Sequence, residues 1–251
     1  MANCNPVISP YDNGNNLNKP TPTSLDAKET TQYRKAIGSL NYLAVSTRPD
    51  LSFIVSLLSR VQNNPTNEAA DAAKKALRYL RGTSHYGIAY HRNASNKLIG
   101  YSDSDFGGCT ETRRSTSGCI FIFAGGPVFW QSKRQPCVTR STLEAEYVSL
   151  SNASREGIWL AKLIGEFSNG PQVLTLCCDN KGAKMLANND GGKMSKHIGI
   201  MYHYIKEKVT NGEAKVHWVG SKEMLADALT KIVKTIAFQS FKSACMNTID
   251  I

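Results

Sequence analysis

The chain has 251 residues and a formal net charge of +10; 41% of its residues are apolar and 20% charged, which allows a packed core and argues against wholesale disorder. No apolar run approaches the roughly 20 residues of a membrane helix, and seven cysteines without a C-x-x-C pair speak against a disulfide framework or a zinc ribbon and for a reducing compartment. Collagen, coiled-coil, membrane and secreted mini-protein classes are excluded, and Met1–Pro6, with neither a basic flank nor an apolar stretch, does not read as a secretory signal.

The elements follow in chain order. Residues 1–30, rich in Asn, Pro, Thr and Gly, read as a flexible linker. Tyr33, Ile37, Leu40 and Leu43 recur at helical spacing. Arg48-Pro49-Asp50 breaks that helix, because proline disfavours the helical region for Arg48 and suits the first turn of a new helix. Leu51, Ile54, Val55, Leu58 and Val61 form the next apolar face. A third helix is expected over about Glu68–Leu80, with Ala69, Ala73, Ala76, Leu77 and Leu80 inward, Lys74, Lys75, Arg78 and Arg81 largely outward, and Gly82 as its stop. From Ser84 the period shifts towards two. Gly87–His91, Leu98–Asp105, Ser117–Phe123 and Val128–Ser132 read as strands, the last two joined by a turn at Gly125-Gly126-Pro127. Ser141–Phe167 reads as a long helix, Leu174–Cys178 as a strand, and Asn180–Ala187 as a helix. Gly191-Gly192 marks a loop, His197–Thr210 a helix, Ala214–Val219 a strand and Glu223–Val233 a final helix. The expected class is a mixed α/β domain preceded by a small all-α basic unit.

Charge supports this division. The net charge is −1 over residues 1–30, +6 over 31–95, +5 over 96–235 and zero over 236–251. A basic module beside an acid-bearing module suits a protein that grips a polyanion with one part and does metal chemistry with another. An ordinary basic surface is the plainer reading of the same numbers.

Four carboxylates stand where an α/β fold gathers side chains: Asp103 near the end of a strand, Glu146 in the first turns of the long helix, Asp179 at the end of the next strand, and Asp227 near the start of the last helix. Strand ends and adjoining helix starts converge in such sheets, so the four can share a pocket. Packed carboxylates repel and raise one another's pKa unless divalent cations lie between them. Hard oxygen ligands suit Mg²⁺ or Mn²⁺, and two such ions stabilise the attacking and leaving oxygens of a phosphodiester. Asp105, two residues from Asp103, can be a turn residue or an outer group. Ser141–Glu144 is a capping box, which gives Glu144 a task at the helix start. Glu146 instead shares the apolar stripe of Leu143, Leu150, Ala153, Leu160 and Ile164, where an acid requires an explanation; it is therefore preferred over Glu144.

These residues carry a family resemblance. Tyr101–Gly108 (YSDSDFGG), Arg113–Gly118 (RRSTSG), Trp130–Gln135 (WQSKRQ), Ser141–Tyr147 (STLEAEY), Cys178–Asn180 (CDN), Lys196–Ile198 with Tyr202 and His203, and Ala226–Lys231 (ADALTK) together resemble the ribonuclease H domain of copia-type retrotransposon Pol polyproteins. Tyr33, Gly38–Leu43 (GSLNYL), Thr47–Asp50 (TRPD), Leu58–Arg60 (LSR), Asn64-Pro65 and Leu77–Gly82 (LRYLRG) resemble the segment that follows the reverse transcriptase palm. The resemblance implies a ribonuclease H-like fold with a mixed five-stranded sheet over 96–235, a thumb- or connection-like helical segment over 31–95 and a tail over 236–251. It implies cleavage of the RNA strand of RNA–DNA hybrids with two Mg²⁺ ions, Mn²⁺ being an acceptable substitute, and it places Asp103, Glu146, Asp179 and Asp227 as catalytic metal ligands. Thr142 falls at a position that touches the hybrid's 2′-hydroxyls. Expected partners are the hybrid and the remainder of the polyprotein, including its polymerase palm, with no membrane; the expected location is a cytoplasmic retrotransposon particle, not the secretory route.

Departures are equally legible. Phe106 stands where many copia elements carry Trp. The loop Gly220–Glu223 lacks the histidine that many cellular ribonucleases H carry there. His197 and His203 read as helix-packing or surface residues. No adjacent Asp-Asp pair occurs, so the polymerase signature is missing. Phosphate contacts are expected from Arg113 and Arg114, and from Lys74 and Arg78 on the third helix, with Asn180 as a further nucleic-acid contact. The competing reading is a catalytically silent nucleic-acid-binding fragment of a truncated Pol; an integrase-type nuclease is disfavoured because its Glu would come later in the domain.

Overall fold

The computed structural model describes residues 4–11, 24–168, 170–188 and 203–249. Two compact units emerge: Met1–Ala89 with Lys231–Ile251, and Tyr90–Thr230.

The first unit is built on three helices. α1 (Ala27–Ser46) starts at a complete capping box, in which Asp26 accepts from the Glu29 amide at 2.7 Å and Glu29 accepts from the Asp26 amide at 3.2 Å. This local chemistry starts the helix before Thr31. α1 buries Tyr33, Ile37, Leu40 and Ala44. A 3-10 turn, Pro49–Leu51, leads into α2 (Ser52–Ser59), and Thr66 caps α3 (Asn67–Gly82). The Tyr33 hydroxyl donates to the Leu58 carbonyl at 2.8 Å, tying α1 to α2. The TRPD motif forms a buried knot. Arg48 pairs with Asp50 at 2.8 Å and donates to both oxygens of Thr83, while the Tyr79 hydroxyl donates to Asp50 at 2.5 Å.

Residues 4–11 and 235–249 pack into this unit, which corrects the linker and tail expectations over those stretches. Arg78 donates to the Asn5 carbonyl at 2.7 Å, Arg81 to the Cys4 carbonyl at 2.6 Å, and Gln239 to the Ile8 carbonyl at 2.9 Å. Buried Tyr11 meets Phe53 and Phe238 edge-on. Residues 235–248 form α7 (Thr235–Cys245) and a short strand, β7 (Asn247–Thr248), antiparallel to β1 (Tyr86–Gly87). The expected strand Gly87–His91 therefore shrinks to β1, whose pairing with β7 is two residues long. The apolar periodicity of α7, which buries Phe238 and Phe241, is the signal that reading 236–251 as a tail overlooked.

The second unit is the mixed α/β domain. Its strands are β2 (Ile99–Ser104), β3 (Thr116–Phe123), β4 (Gly126–Arg134), β5 (Leu174–Cys178) and β6 (Ala214–Trp218), in sheet order β4-β3-β2-β5-β6. The first three are antiparallel neighbours; β5 runs parallel to β2, and β6 parallel to β5. α4 (Thr142–Phe167) packs on the sheet, with α5 (Lys181–Ala187) and α6 (Tyr204–Thr210) beside it. Close approach is set by two glycines: a Cβ at Gly100 or Gly157 would lie 2.5 and 2.6 Å from the Phe121 ring, which fills the notch between them. This is the mixed five-stranded α/β sheet that the resemblance implied. The expected helix Glu223–Val233 is instead a five-residue 3-10 turn, Leu225–Leu229. The Gly191-Gly192 loop and residues 197–202 of the expected helix His197–Thr210 lie outside the described residues, and the rest of that helix is α6.

Candidate metal centre

β2 and β5 are adjacent and parallel, so their C-terminal ends reach one edge of the sheet, and the first turns of α4 pass the same edge. Asp103 is the penultimate residue of β2, Glu146 lies in the second turn of α4, and Asp179 directly follows β5. One carboxylate oxygen from each lies within 4.8 Å of the others.

Each acid is held by its surroundings. Asp103 is 2% exposed, and its Oδ2 accepts from the Thr230 hydroxyl. Its carbonyl accepts from Ser149 of α4 at 2.7 Å, and Ser149 in turn accepts from Ser102 at 3.0 Å. Gly118 pairs with Asp103 across the sheet. A Cβ there would lie 2.7 Å from Thr230 Cγ2 and 2.8 Å from Leu229 Cβ, so only glycine lets the 225–230 turn settle over Asp103. Buried Gln135 ties β2, β3 and α4 together through its Nε2, which reaches Ser104, Ser117 and the Ala145 carbonyl at 2.9 to 3.2 Å. Asp179 accepts from Ser221 at its Oδ2, 3.0 Å away, and from the Trp218 indole at its carbonyl, 2.9 Å away.

Burial, followed by the charges of Asp103 and Asp179, pushes the Glu146 carboxyl from its ordinary 4.5 up to about 9. Glu146 Oε2 is buried with no hydrogen-bond partner. A desolvated acceptor in a cluster of three carboxylates fits a hard divalent cation, which neutralises the charge and accepts that oxygen as ligand.

The remaining predicted residues sort clearly. Glu144 accepts from the Arg140 amide at 2.7 Å while its own amide donates to Ser141, so it serves the helix start. Asp105 accepts from the Thr116 amide and shapes the turn after β2. Asp227 lies in the 3-10 turn and outside the triad of gathered oxygens. Thr142 is exposed at the first turn of α4; Asn180 caps α5, accepting from the Ala183 amide at 3.0 Å. Arg113 is exposed in the loop between β2 and β3 with φ +54, and Arg114 is half-buried beside it. Lys74 pairs with Asp71 at 2.9 Å, and Arg78 holds the Asn5 carbonyl. Both lie in the first unit. His203 contacts Tyr147 at 3.3 Å, a packing role, whereas His197 lies outside the described residues. Thr230, Ser149, Ser221 and Trp218 were not singled out by sequence. Thr230 sits in the ADALTK motif three residues after Asp227, the one local signal that pointed to it.

No protein-family model matches the chain. The chain is 40% identical over 245 residues to the retrovirus-related Pol polyprotein from transposon RE2 of Arabidopsis thaliana, covering 96% of this chain and 16% of that protein. It is 37% identical over 248 residues to the corresponding polyprotein of transposon TNT 1-94 from Nicotiana tabacum, covering 96% and 18%. Half of the chain (51%) is 46% identical to 90% of the secreted RxLR effector protein 161 of Plasmopara viticola. Among solved structures, the N-terminal RNase H domain of Rv2228c from Mycobacterium tuberculosis aligns with a TM-score of 0.42 at 13% identity, covering 60% of this chain and 99% of that one. The chain spans about a sixth of the length of the Pol polyproteins it matches first. With 40% identity across nearly its whole length, it belongs to the family of copia-type retrotransposon Pol polyproteins, one segment of which it matches.

Proposed function

We propose that this segment is the ribonuclease H of its Pol polyprotein and hydrolyses the RNA strand of RNA–DNA hybrids. The carrying observation is the triad of Asp103, Glu146 and Asp179, whose oxygens gather within 4.8 Å around a desolvated Glu146 oxygen. The three acids are the proposed ligands of Mg²⁺, with Mn²⁺ as substitute. Asp227, on the turn that delivers Thr230 to Asp103, is the proposed further ligand in a two-ion arrangement. Bound there, divalent ions supply an activated water and neutralise charge developing on the phosphodiester oxygens. The protein's own part is orientation. Thr230 holds the Asp103 carboxylate, and the buried wall around Glu146 excludes water and strengthens every charge interaction in the site. Thr142, exposed one turn before Glu146, is the proposed contact to the 2′-hydroxyl, and Arg113 and Arg114 the proposed phosphate contacts. The hybrid and the rest of the polyprotein are the proposed partners.

The test is cleavage of an end-labelled RNA–DNA hybrid with and without Mg²⁺, beside Asp179→Asn. Metal-dependent cutting that the variant loses, with hybrid binding kept, is the expected result. A parent chain that binds hybrid without cutting it would sink the proposal and leave a nucleic-acid-binding segment.

A further inference from the structure

Of the triad, Asp179 is the member that burial does not hold. Asp103 and Glu146 are 2% and 5% exposed, whereas Asp179 is only half-buried. Two donors from one short stretch compensate. The pairing of β5 with β6 continues one step beyond Cys178 and Trp218, through the Val219 amide to the Cys178 carbonyl at 3.0 Å. That step aims the following turn, closed by the Glu223 amide on the Gly220 carbonyl at 2.8 Å, back at Asp179. From this turn Ser221 reaches the carboxylate, while the Trp218 indole N–H holds the carbonyl of the same residue. The Trp218 ring is 45% exposed, with Lys181 Nζ 5.0 Å from its centroid; its edge is anchored although its face is open.

We propose that Ser221 is the positioning residue for Asp179, with Trp218 as the second jaw of the clamp, so that the carboxylate stands in its binding orientation before a cation arrives. This rests on reading the triad as a metal site. A carboxylate at a strand end otherwise samples several side-chain rotamers, and ordering it would subtract from cation affinity. Ser221 lies in the Gly220–Glu223 loop, which carries no histidine, so the hydroxyl gives this loop a task there.

The test is Mn²⁺ binding to the full chain by titration calorimetry, with the parent, Ser221→Ala, Ser221→Thr, Trp218→Phe and Asp179→Asn. Ser221→Ala and Trp218→Phe are expected to weaken binding about tenfold, and Ser221→Thr to recover it to within about twofold. In hybrid cleavage, Ser221→Ala should raise the Mg²⁺ concentration needed for half-maximal rate and leave KM for the hybrid unchanged. Parent-like metal binding by Ser221→Ala overturns the clamp, as does a loss that threonine fails to repair. If Asp179→Asn loses binding while Ser221→Ala keeps it, the clamp alone fails; if Asp179→Asn also binds as the parent does, the metal site itself fails.

Discussion

Glu146 is where burial and charge conflict most directly. Its carboxyl is pushed from 4.5 up to about 9 by burial and by the charges of Asp103 and Asp179. In the metal-free protein the unfolded chain ionises this group above pH 4.5, while the folded protein keeps it protonated until about 9. The unfolded state therefore binds fewer protons in that window, and this group's contribution to stability falls as pH rises. Glu146→Gln should raise the metal-free melting midpoint at pH 8 by at least about 3 °C, on the scale of ~2–4 °C per kcal/mol for chains of this size. It should also flatten the pH slope between 5 and 9 and abolish any upward shift on adding Mg²⁺. A thermal melt series across pH checks all three, and a midpoint no higher than the parent's at pH 8 would refute them. The sequence made Glu146 legible because an acid on an apolar helical stripe requires a partner. It did not make Thr230 or Ser221 legible, because short hydroxyl side chains in turns are common and nothing local says which carboxylate they face.

Among the elements, the 225–229 turn shows how tertiary contact overrides local pattern. The stretch from Glu223 to Val233 has helix-forming residues, yet the turn stops once Leu229 and Thr230 reach Gly118 and Asp103. Gly118→Ala forces Thr230 or Leu229 to move by several tenths of an ångström. It should destabilise the second unit by about 1–3 kcal/mol and lower cleavage by displacing the Thr230 hydroxyl from Asp103. Urea unfolding beside the hybrid assay tests this, and a parent-like value in both would refute the contact's importance. In the first unit, the Arg48–Asp50–Tyr79 knot carries the equivalent weight. Arg48 and Asp50 side chains are 6% and 0% exposed, so Asp50→Ala leaves a buried guanidinium without its carboxylate and should cost about 3–5 kcal/mol. Tyr79→Phe removes a single hydroxyl donor to Asp50 and should cost only about 1 kcal/mol. Equal effects from the two substitutions would contradict the buried-charge account. The helices α1 to α3 were legible because their apolar stripes are periodic; the knot was not, since TRPD reads locally as a break.

For the molecule as a whole, a net charge of +10 bears on polyanion binding, but the structure redistributes who supplies it. Arg78 and Arg81 are engaged by main-chain carbonyls of residues 4–5, whereas Arg113 lies exposed in the second unit. Arg113→Ala with Arg114→Ala should therefore weaken hybrid binding at every sequence and reduce the slope of log K against log salt by about 2. Lys74→Ala should leave that slope unchanged. Fluorescence anisotropy over a salt series separates them, and equal slopes in the two variants would overturn the assignment. Among the described residues no helix is long and apolar enough to cross a membrane, and no disulfide joins the cysteines. By itself the sequence determined the α/β class, the strands β2 to β6, the helices α4 and α5 and the three acids whose oxygens gather, because periodicity, caps and acids on buried stripes are local signals. Only the tertiary structure decided that residues 4–11 and 235–249 belong to the first unit, that the expected helix Glu223–Val233 is a turn, and that Asp227 stands outside the gathered oxygens. Each of these depends on contacts between residues far apart in the chain, such as Ile8 with Gln239 and Asp103 with Thr230, which no local pattern records.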